Sequence, residues 1–595
     1  MLCDCMKVFK WNLEKDGDAL ILGSYIPENG TYVLIDLQNG GEILEQGVLK
    51  WDKKRKELLG KNQLKYYKEI IAFDYNSKLV DMNKPIDSKK IIHSNNYFSF
   101  FIKKDSLVNG KLTEEIMENY YTILEEPIKK YKNSKKAIQL YKEVEESYGI
   151  VDKKHLRLCQ KWIEHHIFSL ENLKISISGK DYLKLFFLFS DPKEMIPEYI
   201  KEGNRYLLPN IYNNNDYNRV LYNEVYGLPN NNMGMNSKKP YLEHKTRGNP
   251  MPYLLNKEQI LLQKKFFDYL MNFAVEGKVN VYIDPDEKKF DAYPNGEMPE
   301  MDFQGIYIRI QKGKEVEIHC MDIVSDYRFQ LQKEFLLKDY LEMDISKLKG
   351  EIPPYNTKAN TIYKMQDLIN KIAFSKFLVT NYFTKQEDIT INDPILKDVI
   401  LQSREVFFSW FYKGEQENAM QVVKNSIRRL VYGAITNGYF IKAKHIFNLY
   451  YSLKQYDKKG EQDMGITPEQ MKSVLREKIN GKETVGFSND NEYYFAVGQM
   501  VSYFISISRM TKKNHSLANP FIQAKQDSFI KQKLKEMYIK YNYDIASNGK
   551  RFNNMYAMIS IYEPEGKVNS DMILAGYLCD NLIYEKGMKK EMEEN

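Results

Sequence analysis

The feature that most constrains this chain is a change of hydrophobic period near Asp344. Before it, short β-branched and aromatic runs alternate with helical stretches. From there to the end, apolar residues recur almost entirely at helical spacing. A strand buries every second side chain and a helix those three and four apart, so the two patterns build different kinds of core. The chain therefore reads as α+β, a mixed α/β amino-terminal half followed by an all-α, helical-bundle carboxy-terminal half. Its 595 residues exceed one typical core, which predicts roughly two to four domains. The expected divisions are 1–345, 346–463 and 464–595.

Within the first half, residues 32–37 read as a strand after the turn signal Glu28, Asn29 and Gly30. Residues 91–92 and 97–102 look like strands around the polar break Ser94, Asn95 and Asn96. Helical period takes over in 111–172. Residues 204–249 hold 12 asparagines in 46 positions, with several glycines; a segment of that length without periodicity reads as a functional loop. A helix over 256–273 and strands at 279–283, 305–310 and 315–323 follow. Pro353, Pro354 and Gly481 punctuate the helical half.

Hydrophobic residues make up 43% and charged residues 28%, an ordinary globular composition that excludes a disordered chain. The five cysteines are odd in number and scattered, which speaks against a disulfide framework and for a reducing cytoplasm. Residues 1–16 lack the apolar stretch of a signal peptide. The most apolar short run, 183–189, is interrupted by Lys184 and is too short to cross a bilayer, so no membrane partner is expected.

Catalytic patterns find little support. No glycine-rich loop ending in Lys-Ser or Lys-Thr is present, so an ATPase or GTPase is not expected. No Gly-x-Ser-x-Gly elbow occurs. His155, Cys159, His165 and His166 form the one metal-like cluster, but their surroundings read as an amphipathic helix, and no metal or other cofactor is expected. Asp284, Asp286, Glu287 and Asp291 could converge on a divalent ion in a nuclease. Lying between two strand-like segments, they read instead as a solvated hairpin turn.

Net charge is only +7, from 87 basic and 80 acidic side chains, so its placement must decide what it means. Residues 499–551 hold ten basic and three acidic residues, a net charge equal to that of the whole chain. Concentrated charge suits phosphate binding, where each neutralised phosphate releases a counterion. Here Ile530, Leu534, Met537 and Tyr541 recur at core spacing, leaving Lys531, Lys533, Lys535 and Lys540 on or beside the opposite face. Lys512, Lys513, Lys525, Lys550 and Arg551 share the segment. A second group, Lys84, Lys89, Lys90, Lys103 and Lys104, flanks Asn95 and Asn96. A third is the loop 230–247, with Asn230, Asn231, Asn232 and Asn236 beside Lys238 and Lys239. Asparagine amides can read base edges while lysines hold phosphates.

These residues carry a resemblance. Asp74, Tyr75, Asn76 and Ser77 through Asn83, Lys84 and Pro85, then 89–97, resemble the large subunit of type I-B CRISPR effector complexes. So do the loop 228–241 and, most strongly, the strings 495–500, 514–517 and 562–567. The resemblance implies a non-enzymatic subunit of the Cascade surveillance complex, acting in the cytoplasm. Its implied partners are CRISPR RNA, double-stranded target DNA with its displaced single strand, the backbone and small subunits, and a helicase-nuclease recruited in trans. Guide pairing reads the target while protein reads the protospacer-adjacent motif and supports R-loop formation. The paired cysteines of the zinc insert found in some relatives are absent here. The alternative is a CRISPR-linked metal-dependent nuclease using Asp284, Asp286 and Glu287. In systems of this kind the small subunit can be translated from within the large-subunit gene. Lys459, Gly460 and Glu461 can be encoded as a purine-rich ribosome-binding site ahead of Met464. The product 464–595 would start near a capping box of Thr467 and Gln470, with Pro468 at the first helical position.

Overall fold

The computed structural model describes residues 1–231, 246, 251, 253–313, 315–343, 352–416, 419–457, 467–481, 485–511, 513–545 and 549–585. The chain forms two compact units. One comprises Met1–Asn295 with Gly305–Ile323, the other Gly296–Gln304 with Val324–Asn595.

The first unit begins with the helix Leu2–Asp16, which the reading of the sequence did not place. Cys5, Met6, Val8 and Phe9 are its buried stripe, and the charged residues between them hide the period. Five strands follow: β1 (Gly30–Asp36), β2 (Glu42–Asp52), β3 (Glu57–Leu59), β4 (Ser99–Lys103) and β5 (Tyr182–Leu188). They form one sheet in the order β3-β2-β1-β5-β4, in which β1 and β5 run parallel and the other neighbours antiparallel. The expected strand at 91–92 is a single bridge between Ile92 and Ile102.

Both faces of the centre are covered. Phe186 packs on Phe73 and Tyr199, from the helices Tyr67–Ser77 and Pro192–Asn210, while Phe187 meets Trp162 of the helix Lys153–His166. Strands buried on both faces become near-continuous apolar runs, and the run at 183–189 is such a strand. Lys184, which interrupts it, is buried with its Nζ 2.5 Å from Asp74 Oδ1 and 3.3 Å from Glu28 Oε2. Burial works against its charge, but Asp74 and Glu28 outweigh that and hold the ammonium above the ordinary lysine value.

Past a short hairpin of β6 (Arg219–Leu221) and β7 (Glu224–Tyr226) lies the helix Lys257–Glu276. Asn256 and Gln259 close a capping box at its start. Then β8 (Lys278–Asp284), β9 (Lys289–Pro294), β10 (Phe303–Lys312) and β11 (Val316–Tyr327) form a sheet in the order β11-β10-β8-β9. Phe9, Phe266 and Leu270 share one core with Val281, Ile283 and Ile308.

In the second unit, β12 (Gln330–Leu336) pairs antiparallel with β13 (Lys358–Thr361). Strand pairing thus continues past Asp344, and the all-helical region starts at Ile362 and runs to Tyr584. Within it the helices Asp490–Ser506 and Ser570–Leu578 cross closely, where Gly498 and Gly576 bring the two backbones together. The capping box of Thr467 and Gln470 is formed at the start of the helix Pro468–Asn480. Among the described residues, no helix is long and apolar enough to cross a membrane.

Candidate nucleic-acid interface

The helix Asp527–Tyr541 buries Ile530, Leu534, Met537 and Tyr541, so its lysines stand where the spacing put them. They differ in what they touch. Lys531 is tied down: its Nζ lies 2.6 Å from the Tyr562 carbonyl oxygen, 2.8 Å from Glu563 Oε1 and 3.6 Å from Asp527 Oδ2. Lys533 pairs with Glu536 at 2.6 Å, an exposed carboxylate that the lysine holds below its usual range. Lys535 is exposed with no partner among the described residues, and Lys540 is exposed with its Nζ 5.3 Å from the Tyr541 ring centre.

The rest of segment 499–551 is similarly divided. Arg509 grips Asp544 through two bonds, at 3.0 and 2.9 Å. Lys513 donates to the Ser508 carbonyl. Lys550 and Arg551 reach Asn480, at 3.1 Å to its carbonyl and 2.7 Å to its Oδ1, and so cap the end of the helix Pro468–Asn480. Arg551 also donates to the Glu585 carbonyl. Lys525 is exposed, without an acidic partner among the described residues. Lys512 lies outside the described residues. The concentrated charge in the sequence is therefore partly spent on the fold, on Asp527, Glu536 and Asp544 within the segment and on Glu563 and backbone carbonyls outside it.

In the second group the asparagines serve the loop itself. Asn96 is buried, donates to the Tyr199 carbonyl at 2.9 Å and accepts from the Phe98 amide at 3.1 Å. Asn95, also buried, donates to the Lys78 carbonyl at 2.6 Å. Both side chains are buried, where their amides serve the loop. Lys84 is turned inward as well, onto the carbonyls of Asn210 and Tyr212 at the end of the helix Pro192–Asn210. Burial lowers its ammonium to about 8, and burial together with Lys84 lowers neighbouring Lys130 to about 7. Lys104 is buried against Asp181. Lys89, Lys90 and Lys103 remain exposed.

Of the asparagine loop, Asn230 is buried with its amide donating to the Ile211 carbonyl at 2.8 Å, and the Asn231 carbonyl accepts from buried Gln263. Asn232, Asn236, Lys238 and Lys239 lie outside the described residues, as do Lys459, Gly460, Glu461 and Met464.

The acidic run forms the turn between β8 and β9. Asp284 Oδ1 accepts from the amides of Asp286 and Glu287, both at 2.9 Å, and Lys289 pairs with Asp291 at 2.9 Å. Cys159 is buried in the core, where burial pushes its thiol well up, and His155 stacks on Phe189 at 4.0 Å. Among the described residues, no three His, Cys, Asp or Glu side chains gather in a metal-binding group.

Sequence reasoning passed over one dense group. Between Lys50 and Lys65 there are seven basic and two acidic residues, including the unbroken run Lys53, Lys54, Arg55 and Lys56. That run is the exposed turn joining β2 to β3. The signal was legible as four consecutive cations, but a remainder that is neutral on balance concealed it. The chain matches no family model, no curated protein and no solved structure.

Proposed function

We propose that this chain is the large subunit of a type I-B CRISPR RNA-guided surveillance complex. In this reading it is a non-catalytic scaffold that binds CRISPR RNA and target DNA, reads the protospacer-adjacent motif, supports R-loop formation and helps recruit a helicase-nuclease. What supports the reading is where the residues of the resemblance stand. Asp74 accepts from Tyr25 and pairs with buried Lys184; Asn96 fastens the loop before β4; Gln499 and Gly498 seat one helix against another; Asp490 accepts from the Tyr562 hydroxyl at 3.0 Å and the Gly566 amide at 2.7 Å. Strings scattered along the chain thus hold the packing of both units, so a protein sharing them would share the architecture. Lysines without acidic partners supply the phosphate contacts such a scaffold needs.

The test is co-expression with a CRISPR array and candidate backbone subunits, followed by purification through this chain and sequencing of bound RNA. Recovery of repeat-derived RNA with the backbone subunits is expected. Purification of the chain free of both overturns the proposal.

A further inference from the structure

The β2–β3 ribbon is built to present charge. Residues 30–36 of β1 pair with 42–49 of β2, so Lys50, Trp51 and Asp52 extend past that pairing, opposite Leu59, Leu58 and Glu57 of β3. The ribbon is fastened at its root. The Trp51 amide donates to Asn29 Oδ1 at 2.7 Å, and Gly60 returns the chain at φ 88°, where an added Cβ would collide with the Val48 carbonyl.

The turn consumes its own acid. Asp52 Oδ1 accepts from the amides of Lys54 at 2.8 Å and Arg55 at 3.2 Å, bonds that hold its carboxyl below the usual range. Lys53, Lys54 and Lys56 are exposed with no acidic partner among the described residues, and Arg55 lies 3.5 Å from the exposed Glu57. Lys56 occupies the left-handed region at φ 53°, a position that glycine or asparagine fills at least cost. A lysine kept there places a fourth cation on the tip. At the neighbouring β10 end, burial and then the Lys53 charge push the Lys312 ammonium down.

We propose that this ribbon grips the sugar–phosphate backbone of duplex nucleic acid through Lys53, Lys54, Arg55 and Lys56. The inference rests on the nucleic-acid reading above and names a contact that reading did not contain. A two-stranded ribbon fits the major groove of a duplex. Single-strand binding relies on aromatic stacking platforms, and residues 53–56 include no ring. With the Lys54 and Arg55 amides tied to Asp52, the four cationic side chains make the contact, and phosphates are what they meet along the backbone.

The experiment compares the full chain with K53Q/K54Q/R55Q/K56Q on a 30-base-pair duplex DNA and on one of its strands, across a salt series. The wild-type slope of log affinity against log salt is expected to flatten on duplex by up to about 3.6 units, at about 0.9 for each of the four lost phosphate contacts. Binding to the single strand should change less, and the thermal melt should not change. A variant with wild-type slope and affinity overturns the ribbon while leaving the scaffold reading intact. Equal flattening on both probes overturns the duplex assignment. In a parallel arm with vesicles of phosphatidylserine and phosphatidylcholine, a loss confined to the vesicles reassigns the turn to anionic membrane and overturns it too. A wild-type chain that binds neither probe removes both the ribbon and the nucleic-acid reading. Duplex loss in the variant, with no CRISPR RNA recovered from the complex, keeps the ribbon and removes the scaffold reading.

Discussion

Gly498→Ala tests the packing at the heart of the helical region. A Cβ at 498 would stand 2.2 Å from the Ile573 carbonyl oxygen and 2.7 Å from the Tyr577 amide nitrogen, where ordinary contact begins near 3.4 Å. Both obstacles are backbone, so no rotamer relieves them and the helices must part by about 1 Å. Overpacking of this kind costs about 1–3 kcal/mol. Parting the helices also strains Gln499, which is fully buried, donates to the Gly576 carbonyl at 2.5 Å and accepts from the Leu582 amide at 2.8 Å. A buried polar group that loses its partner costs about 1–3 kcal/mol more. Alanine's better helix propensity returns at most about 1 kcal/mol. The expected net loss is about 1–5 kcal/mol, read by urea denaturation of the full chain. Faster hydrogen exchange should appear in the helices Asp490–Ser506 and Ser570–Leu578. Gly433→Ala is the control, since the three atoms nearest its Cβ all belong to the Ile395 side chain; a loss under about 1 kcal/mol is expected, because side chains can move aside. A Gly498→Ala protein as stable as wild type, with unchanged exchange, would refute the close approach of these two backbones.

Other expectations follow from particular contacts. K535Q/K540Q should flatten the salt dependence of single-strand binding by up to about 1.4 units, at about 0.7 per phosphate, while K531Q/K533Q should leave it unchanged because those lysines are already paired. Equal flattening by both variants would mean that Lys531 abandons Glu563 on binding. Lys184→Met should destabilise the chain by about 3–5 kcal/mol by stranding the buried Asp74 carboxylate, and K184M/D74L should recover most of that; chemical denaturation of both variants checks it. Lys130 has a folded value near 7, below its unfolded value, so the unfolded chain binds more protons between these values and stability rises with pH there. The melting temperature of wild type relative to Lys130→Met should therefore climb from pH 7 to 10, and a flat difference would count against a buried, depressed Lys130.

What the sequence alone determined is what nearest neighbours along the chain determine. Period placed Ile530, Leu534, Met537 and Tyr541 on one buried face. Cap chemistry placed the start at Thr467, where donor and acceptor are three residues apart. The order of classes, mixed α/β and then helical, followed from the same short-range signals, although β13 carried strand pairing beyond Asp344. The fate of each polar group was decided only by the tertiary structure, because its partners are distant along the chain. Lys531 finds Glu563, Arg551 finds Glu585, and Lys84 finds the carbonyls of Asn210 and Tyr212. No window of sequence contains both members of these pairs, so a count of charges could not separate a lysine already neutralised from one left to solvent. The same holds for Asn95 and Asn96, whose composition suits base reading but whose burial commits them to the Lys78 and Tyr199 carbonyls. The turn at Lys53, Lys54, Arg55 and Lys56 is the converse case. Its charge was visible in the sequence, and only the ribbon's projection beyond β1 left its three lysines without acidic partners among the described residues.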